Sequence, residues 1–255
     1  MKNETLLYDD GNHKCIMFSL EDEEHQDYSL SVNQFLIIQH ESAVLIDPGS
    51  EGIFSELYDA VSAHIDPQKI KYIFFSHQDP DVAGAINQWS VATSAKLVIS
   101  QLWVRFMGHF GLMDMNRIVG LEDHGARVKF GNDYLQFIPA HFLHSPGNFS
   151  LYDSRSKILF SGDIGAAIAS PQNLNKRVDN FEEHRPFLEG FHSRYMASNR
   201  FCRAWVECVR AYEVSTIAPQ HGSLFHSENA IRFLEWFEEV QGGEEHCAEL
   251  YGLKN

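Results

Sequence analysis

The sequence predicts an α/β (α+β) fold in which two mixed sheets pack against each other between outer helices. Three observations predict it. Strand-like runs dominate the start of the chain and alternate with helical patterns later, an order that two packed sheets with helices outside satisfy. Apolar residues make up 44% and aromatic residues 13% of 255 positions, enough for a sizeable core. No low-complexity linker or short-period repeat divides the chain, so it reads as a single domain over residues 1–255 with its core at about 30–240.

The elements follow in order. Strands are expected at Cys15–Leu20, Phe35–Gln39 and Ala43–Ile46, the last ending in the turn Asp47-Pro48-Gly49. Ile53, Leu57, Val61 and Ile65 recur every four residues and place one apolar stripe on a helix. Tyr72–Phe75 reads as a buried strand, with a helix from near Ala83. Lys96–Ser100 is a further strand and Leu102–Phe110 a further helix, whose Trp103, Phe106, Met107 and Phe110 read as core. The second half repeats the logic. Strands are expected at Ala126–Phe130, Tyr134–Pro139, Phe149–Tyr152, Ile158–Phe160 and Thr216–Ala218. One helix face carries Phe201, Ala204, Trp205, Cys208 and Tyr212, and a last one Ala230, Phe233, Leu234, Phe237 and Val240 before Gly242-Gly243.

Charge and cysteine usage bound the function. The formal charge is −15, from 35 acidic and 20 basic residues, so a nucleic-acid backbone would be repelled. Glu21-Asp22-Glu23-Glu24 reads as solvated surface. Cys15, Cys202, Cys208 and Cys247 form no C-x-x-C pair, and four free thiols fit a reducing cytosol. No signal-like segment opens the chain and no apolar run approaches the ~20 residues that span a bilayer, so a cytoplasmic protein is expected.

The candidate site begins with His77-Gln78-Asp79-Pro80-Asp81, directly after a strand. On an extended loop the side chains of 77, 79 and 81 project to one side. His144, Asp163 and His221 recur downstream, each at a strand end or turn beside Gly, Pro or Ser. Three imidazoles and three carboxylates suffice for two metal ions once bridging and solvent ligands are added. That mix favours iron or manganese over a thiolate zinc site.

The strings SHQDPDV, PAHFLHSPGNF, LFSGDIGA and PQHGS resemble the metallo-β-lactamase fold, an αββα sandwich. Zinc hydrolases of that fold carry H-x-H-x-D-H. Here Asp79 stands second, so the chain looks like the flavodiiron pattern H-x-E-x-D-H, and more closely like the oxygen-binding diiron proteins without a flavodoxin domain. The resemblance implies that His77, Asp79 and His144 hold one iron, Asp81 and His221 the other, and that Asp163 bridges both. Val82 stands where the pattern has its last His, which leaves the second iron short of a protein ligand.

Other residues read differently. Asp47 is a turn former that, on the resemblance, supports the ligands from behind; His141 reads as a hydrogen-bonded core histidine, with a supporting or substituted-ligand role as its alternative, and Tyr195 has a supporting role as an alternative to packing. His192 is expected at the surface or the rim of the site, Tyr195 and Met196 as packing residues beside it, and His13, His25 and His246 as exposed. The implied function is a non-heme diiron protein that binds O2 or a similar small diatomic ligand, as an oxygen or redox sensor or a weak O2 reductase. Two alternatives stand beside it: an O2 or NO reductase fed by a separate electron donor, and a dinuclear hydrolase of phosphodiesterase or thioesterase type, with manganese or zinc in place of iron. No FMN site is apparent in this chain. A signalling partner and a homodimer are the associations expected.

Overall fold

The computed structural model describes residues 4–20, 32–168 and 176–253. The acidic run 21–24 and His25 lie outside them. Thirteen strands form two sheets among the described residues. The first sheet runs in spatial order from β1 (Glu4–Asp9) and β2 (His13–Leu20) through β3 (Val32–Gln39), β4 (Ser42–Ile46), β5 (Ile70–Phe74) and β6 (Lys96–Ser100) to β7 (Ile118–Leu121). Its first four strands pair antiparallel; β4 to β7 pair parallel, with a helical crossover after β4.

The second sheet holds β8 (Ala126–Phe130), β9 (Asp133–Pro139), β10 (Phe149–Asp153), β11 (Ile158–Gly162), β12 (Thr216–Pro219) and β13 (Phe225–His226). Spatially it runs from β13 back to β8, and only β11 and β12 pair parallel. Side chains alternate across the strands and sort into three apolar clusters. In β2, Cys15 and Met17 face the second sheet, whereas Ile16 and Phe18 face the outer helices.

The outer layer on the first sheet is α1 (Phe54–Ser62), α2 (Pro80–Ala83) and α3 (Ile86–Ala92), packed through Leu57, Val61, Ile86 and Trp89. On the second sheet lie α4 (Phe181–His184), α5 (Pro186–Tyr195), α6 (Asn199–Val209) and α7 (Glu228–Glu238), while the short α8 (Cys247–Leu250) buries nothing. The order is therefore helix, sheet, sheet, helix, as expected.

Several expectations need correction. Residues 104–110 form a 3-10 segment, not an α-helix; Met107 is buried, but Phe106 is exposed. His13 is buried, because β2 begins there and aims it with Cys15 and Met17 between the sheets. His192 is fully buried: α4 and α5, which lack a clear apolar period, pack onto the second sheet and carry it inside. β1 and β7 lie at the sheet edge, half exposed, and left no strong pattern.

Candidate metal centre

Asp47, His77, Asp163 and His221 follow the ends of β4, β5, β11 and β12, and His144 lies in the turn between β9 and β10. These parallel strand pairs finish at the same end of the sandwich, where loops meet.

After β5 the backbone of Ser76 donates to Asp47 Oδ1 at 2.7 Å, and the Ser76 hydroxyl donates to Asp47 Oδ2 at 2.9 Å. The same hydroxyl lies 3.0 Å from His77 Nδ1. With its proton committed to Asp47, Ser76 Oγ accepts from Nδ1 and turns the Nε2 lone pair of His77 to the centre. Burial pushes the Asp47 carboxyl up to about 7 against both bonds from Ser76, and burial lowers His77.

The extended loop expected over 77–81 is a turn into helix instead. Asp79 is extended and precedes α2, with Pro80 at its first position, and Asp81 sits in its first turn. The two carboxylates thereby part. Asp79 Oδ2 lies 2.8 Å from His144 Nε2, and Asp81 Oδ2 lies 3.1 Å from His221 Nε2. Burial raises both carboxyls, but those two imidazoles outweigh it and hold them below their ordinary value. Burial likewise lowers His144, and the bond to Asp79 together with the charges of Asp163, Asp79 and Asp81 outweighs it and raises the imidazole. Gln78 donates to Asp79 Oδ1 at 2.7 Å, and Ser145 donates to Gln78 Oε1 at 2.6 Å, which fixes the other face of that carboxylate.

Asp163 is the common neighbour. Its Oδ1 lies 3.8 Å from His77 Nε2 and 3.7 Å from His221 Nε2, and its Oδ2 lies 3.5 Å from His144 Nε2. His77 Nε2 and Asp163 Oδ1 are both buried without a hydrogen-bond partner. At 3.8 Å they are too far apart for a hydrogen bond, yet close to the spacing of two ligands on one ion with bonds of about 2.0–2.2 Å. Leaving such atoms unsatisfied costs about 1–3 kcal/mol each, and a cation between them satisfies both. The ligand atoms of His77, His144 and Asp163, and those of His77, Asp79 and Asp81, lie within 4.8 Å of one another. The donor set fits iron: nitrogen and oxygen without sulfur.

The remaining residues fall around this cluster. Val82 is fully buried among the apolar residues against α1, away from water. Both ring nitrogens of His141 meet backbone carbonyls, Pro146 O at 3.1 Å and Asp123 O at 2.6 Å, so His141 braces the turn that carries His144. Tyr195 is 52% exposed, with its ring 5.4 Å from that of His144 and stacked on Phe191. One turn of α5 away, His192 Nδ1–H donates to Leu188 O, and its Nε2 accepts from the backbone N–H of Gly165, two residues past Asp163. Ser76, Gln78, Ser145 and Phe191 escaped sequence reasoning, and His192 was expected at the surface or rim rather than buried. The one available signal was adjacency for Ser76 and Gln78, which flank His77. Three residues at this end hold left-handed backbone without being glycine, Asp47 (φ 49°), Phe142 (φ 62°) and His144 (φ 71°), the strain expected at a functional site.

The chain is similar to several known proteins. A solved structure described as the peroxy diiron species of chemotaxis sensor ODP is 42% identical to the chain, covers 97% of it and 99% of that chain, and superposes with a TM-score of 0.87. The apo state of chemotaxis sensor ODP from T. denticola, at 42% identity over the same shares, gives 0.85. The rubredoxin-oxygen oxidoreductase of Megalodesulfovibrio gigas is 25% identical over 239 residues, 88% of this chain and 58% of that protein. The chain spans about half or less of the length of other curated relatives it matches. The family described as ODP family beta lactamase matches residues 30–222, most of the chain. The chain belongs to the ODP family.

Proposed function

We propose that this protein is a non-heme diiron protein that binds O2 and reports oxygen to a signalling partner. The observation that carries the reading is the convergence of three imidazoles on the two oxygens of Asp163, in a chain 42% identical to a chemotaxis sensor captured as a peroxy diiron species. His77, Asp79 and His144 would hold one iron, Asp81 and His221 the other, and Asp163 would bridge them. Bound ferrous iron supplies the electrons that O2 takes up.

The chain's own residues do the rest. Ser76 and Asp47 hold the tautomer of His77 that offers Nε2. Gln78 and Ser145 hold Asp79 by its far oxygen and leave the near one to the centre. Phe191 and Tyr195 cover the ring of His144 and keep bulk water from that side. Asp79 and Asp81 keep 31% and 40% of their side chains exposed, a way in for a small ligand. Carboxylates on both ions favour the ferric state and therefore electron release.

No helix among the described residues is long and apolar enough to cross a membrane. The partner, the chemotactic role and the cytoplasmic location belong to the proposal. The test is metal analysis of anaerobically purified protein, followed by absorption spectra during controlled O2 addition. Two irons per chain and a new O2-dependent band support the reading. Two zincs and an unchanged spectrum overturn it in favour of hydrolysis.

A further inference from the structure

A second group of metal-capable side chains lies at the opposite end of the sandwich. His13 opens β2, Cys15 follows two residues later on the same face, and Asp153 closes β10 in the other sheet. All three are buried, at 2%, 0% and 1% exposure. His13 Nε2 lies 2.7 Å from Asp153 Oδ2, and Cys15 Sγ lies 3.6 Å from each of those two atoms.

Which atoms meet decides what the group can do. A nucleophile relay needs the thiol on one ring nitrogen and the carboxylate on the other, so that the imidazole passes a proton between them. Here thiol and carboxylate meet the same nitrogen, Nε2, so no relay exists. A metal site needs the opposite: one lone pair from each residue aimed at a single point. The two 3.6 Å edges match those of a tetrahedral face around an ion bonded at about 2.0 Å to N and O and about 2.3 Å to S, while the 2.7 Å N···O edge is a hydrogen bond that an entering ion would open to about 3.3 Å.

The hydrogen-bond inventory points the same way. Asp153 Oδ2 alone faces His13 Nε2, Cys15 Sγ, the Ser156 backbone N–H at 3.3 Å and the Ser156 hydroxyl. Four donors crowd one oxygen that has two lone pairs.

We propose that His13, Cys15 and Asp153 form a closed site for one zinc-class divalent cation, with the Ser156 hydroxyl beside the fourth position. One thiolate, one imidazole and one carboxylate are borderline-soft donors, unlike the sulfur-free cluster at the other end. The charge balances: a dication held by one thiolate, one carboxylate and one neutral imidazole sums to zero, the thiol proton leaving to solvent as the ion binds. Its role is structural, tying β2 of one sheet to β10 of the other under the surface turns that Asp10, Arg155 and Asp133 hold together.

The experiment is a cobalt(II) titration of the full chain, stripped of metal under anaerobic conditions. The sulfur-free cluster cannot give a thiolate-to-cobalt charge-transfer band, so this readout stands apart from iron binding. The expected result is a near-ultraviolet thiolate band that saturates at one cobalt per chain, disappears on adding zinc and is lost in Cys15→Ser. A second variant, Cys202→Ala/Cys208→Ser/Cys247→Ser, keeps Cys15 as the sole thiol and retains the band. Absence of the band from the native chain, or its persistence in Cys15→Ser, overturns the site; if Cys15→Ser does not fold, absence from the triple variant overturns it equally.

Discussion

The two ends of the sandwich solve one problem in opposite ways. Both bring histidine and carboxylate from different strands or loops to one place. At the loop end, five such residues surround Asp163, three atoms of the cluster (His77 Nε2, His144 Nδ1 and Asp163 Oδ1) lack hydrogen-bond partners, and Asp79 and Asp81 reach solvent. At the other end, three residues sit sealed between the sheets, and Asp153 is engaged on every side. Burial lifts the Asp153 carboxyl, and the His13 bond and charge outweigh it and lower it. An open centre can exchange a ligand; a sealed one can only hold the fold. The ends differ in access as well as in donors, since only the sealed one includes a sulfur.

The sharpest way to break this comparison is Asp163→Ala. Its two oxygens face imidazoles of both halves of the centre, so the variant is expected to lose both irons, with two per chain falling to nearly none by metal analysis. Retention of both irons removes Asp163 from the bridge. Asp153→Ala probes the sealed end. It strands a buried imidazole and thiol, with an expected loss of about 3–5 kcal/mol in urea unfolding, while iron content stays at the wild-type level once the protein is folded. A parallel loss of iron would mean that the two ends are not independent.

Acid should act on the loop end. Burial lowers His192 to about 4, against an ordinary 6.5, so the unfolded chain binds the proton that the folded chain refuses. The His192 contribution is therefore whole above pH 6.5 and drains away as pH falls from 6.5 to 4, by about 3 kcal/mol in all. Thermal unfolding measured across that range should show the slope, and His192→Gln should flatten it. An unchanged slope in the variant assigns the acid sensitivity elsewhere; His184, lowered to about 4 by burial, is the neighbouring candidate. The smallest effect is expected of Gly162→Ala. The position has φ 60°, and a Cβ there comes 3.1 Å from the Ser76 hydroxyl that orients His77. About 1–2 kcal/mol of stability should go, with weaker iron retention against a chelator; stability loss alone would show that Ser76 yields without disturbing His77.

Much of the loop end was legible in the sequence because each candidate ligand stands beside a turn residue at the end of an apolar run. His77, Asp163 and His221 follow strands that the alternation already marks. What holds those residues was harder to see. Ser76 and Gln78 flank a candidate ligand, but nothing in a single sequence tells which neighbour donates to it. The bend that separates Asp79 from Asp81 comes from Pro80 starting a helix, whereas Pro80 reads equally well as a stiffener of an extended loop. His13 was misplaced although its signal was present: His13, Cys15 and Met17 alternate onto the inward face of β2, a pattern that polar His obscures. His192 left less trace, since α5 mixes apolar and charged residues without a clean period.

Asp163 and His221 follow β11 and β12, which are parallel neighbours, so the chain between them must travel back the length of the sheet through α4, α5 and α6. Such a connection closes slowly, because the entropy of a long loop is lost before the strand pair rewards it. On the ribosome, His77 and Asp79 emerge early and are joined by Asp163 long before His221 arrives. In the proposed centre, His77, Asp79, His144 and Asp163 are therefore all synthesised before His221, the last of its candidate ligands.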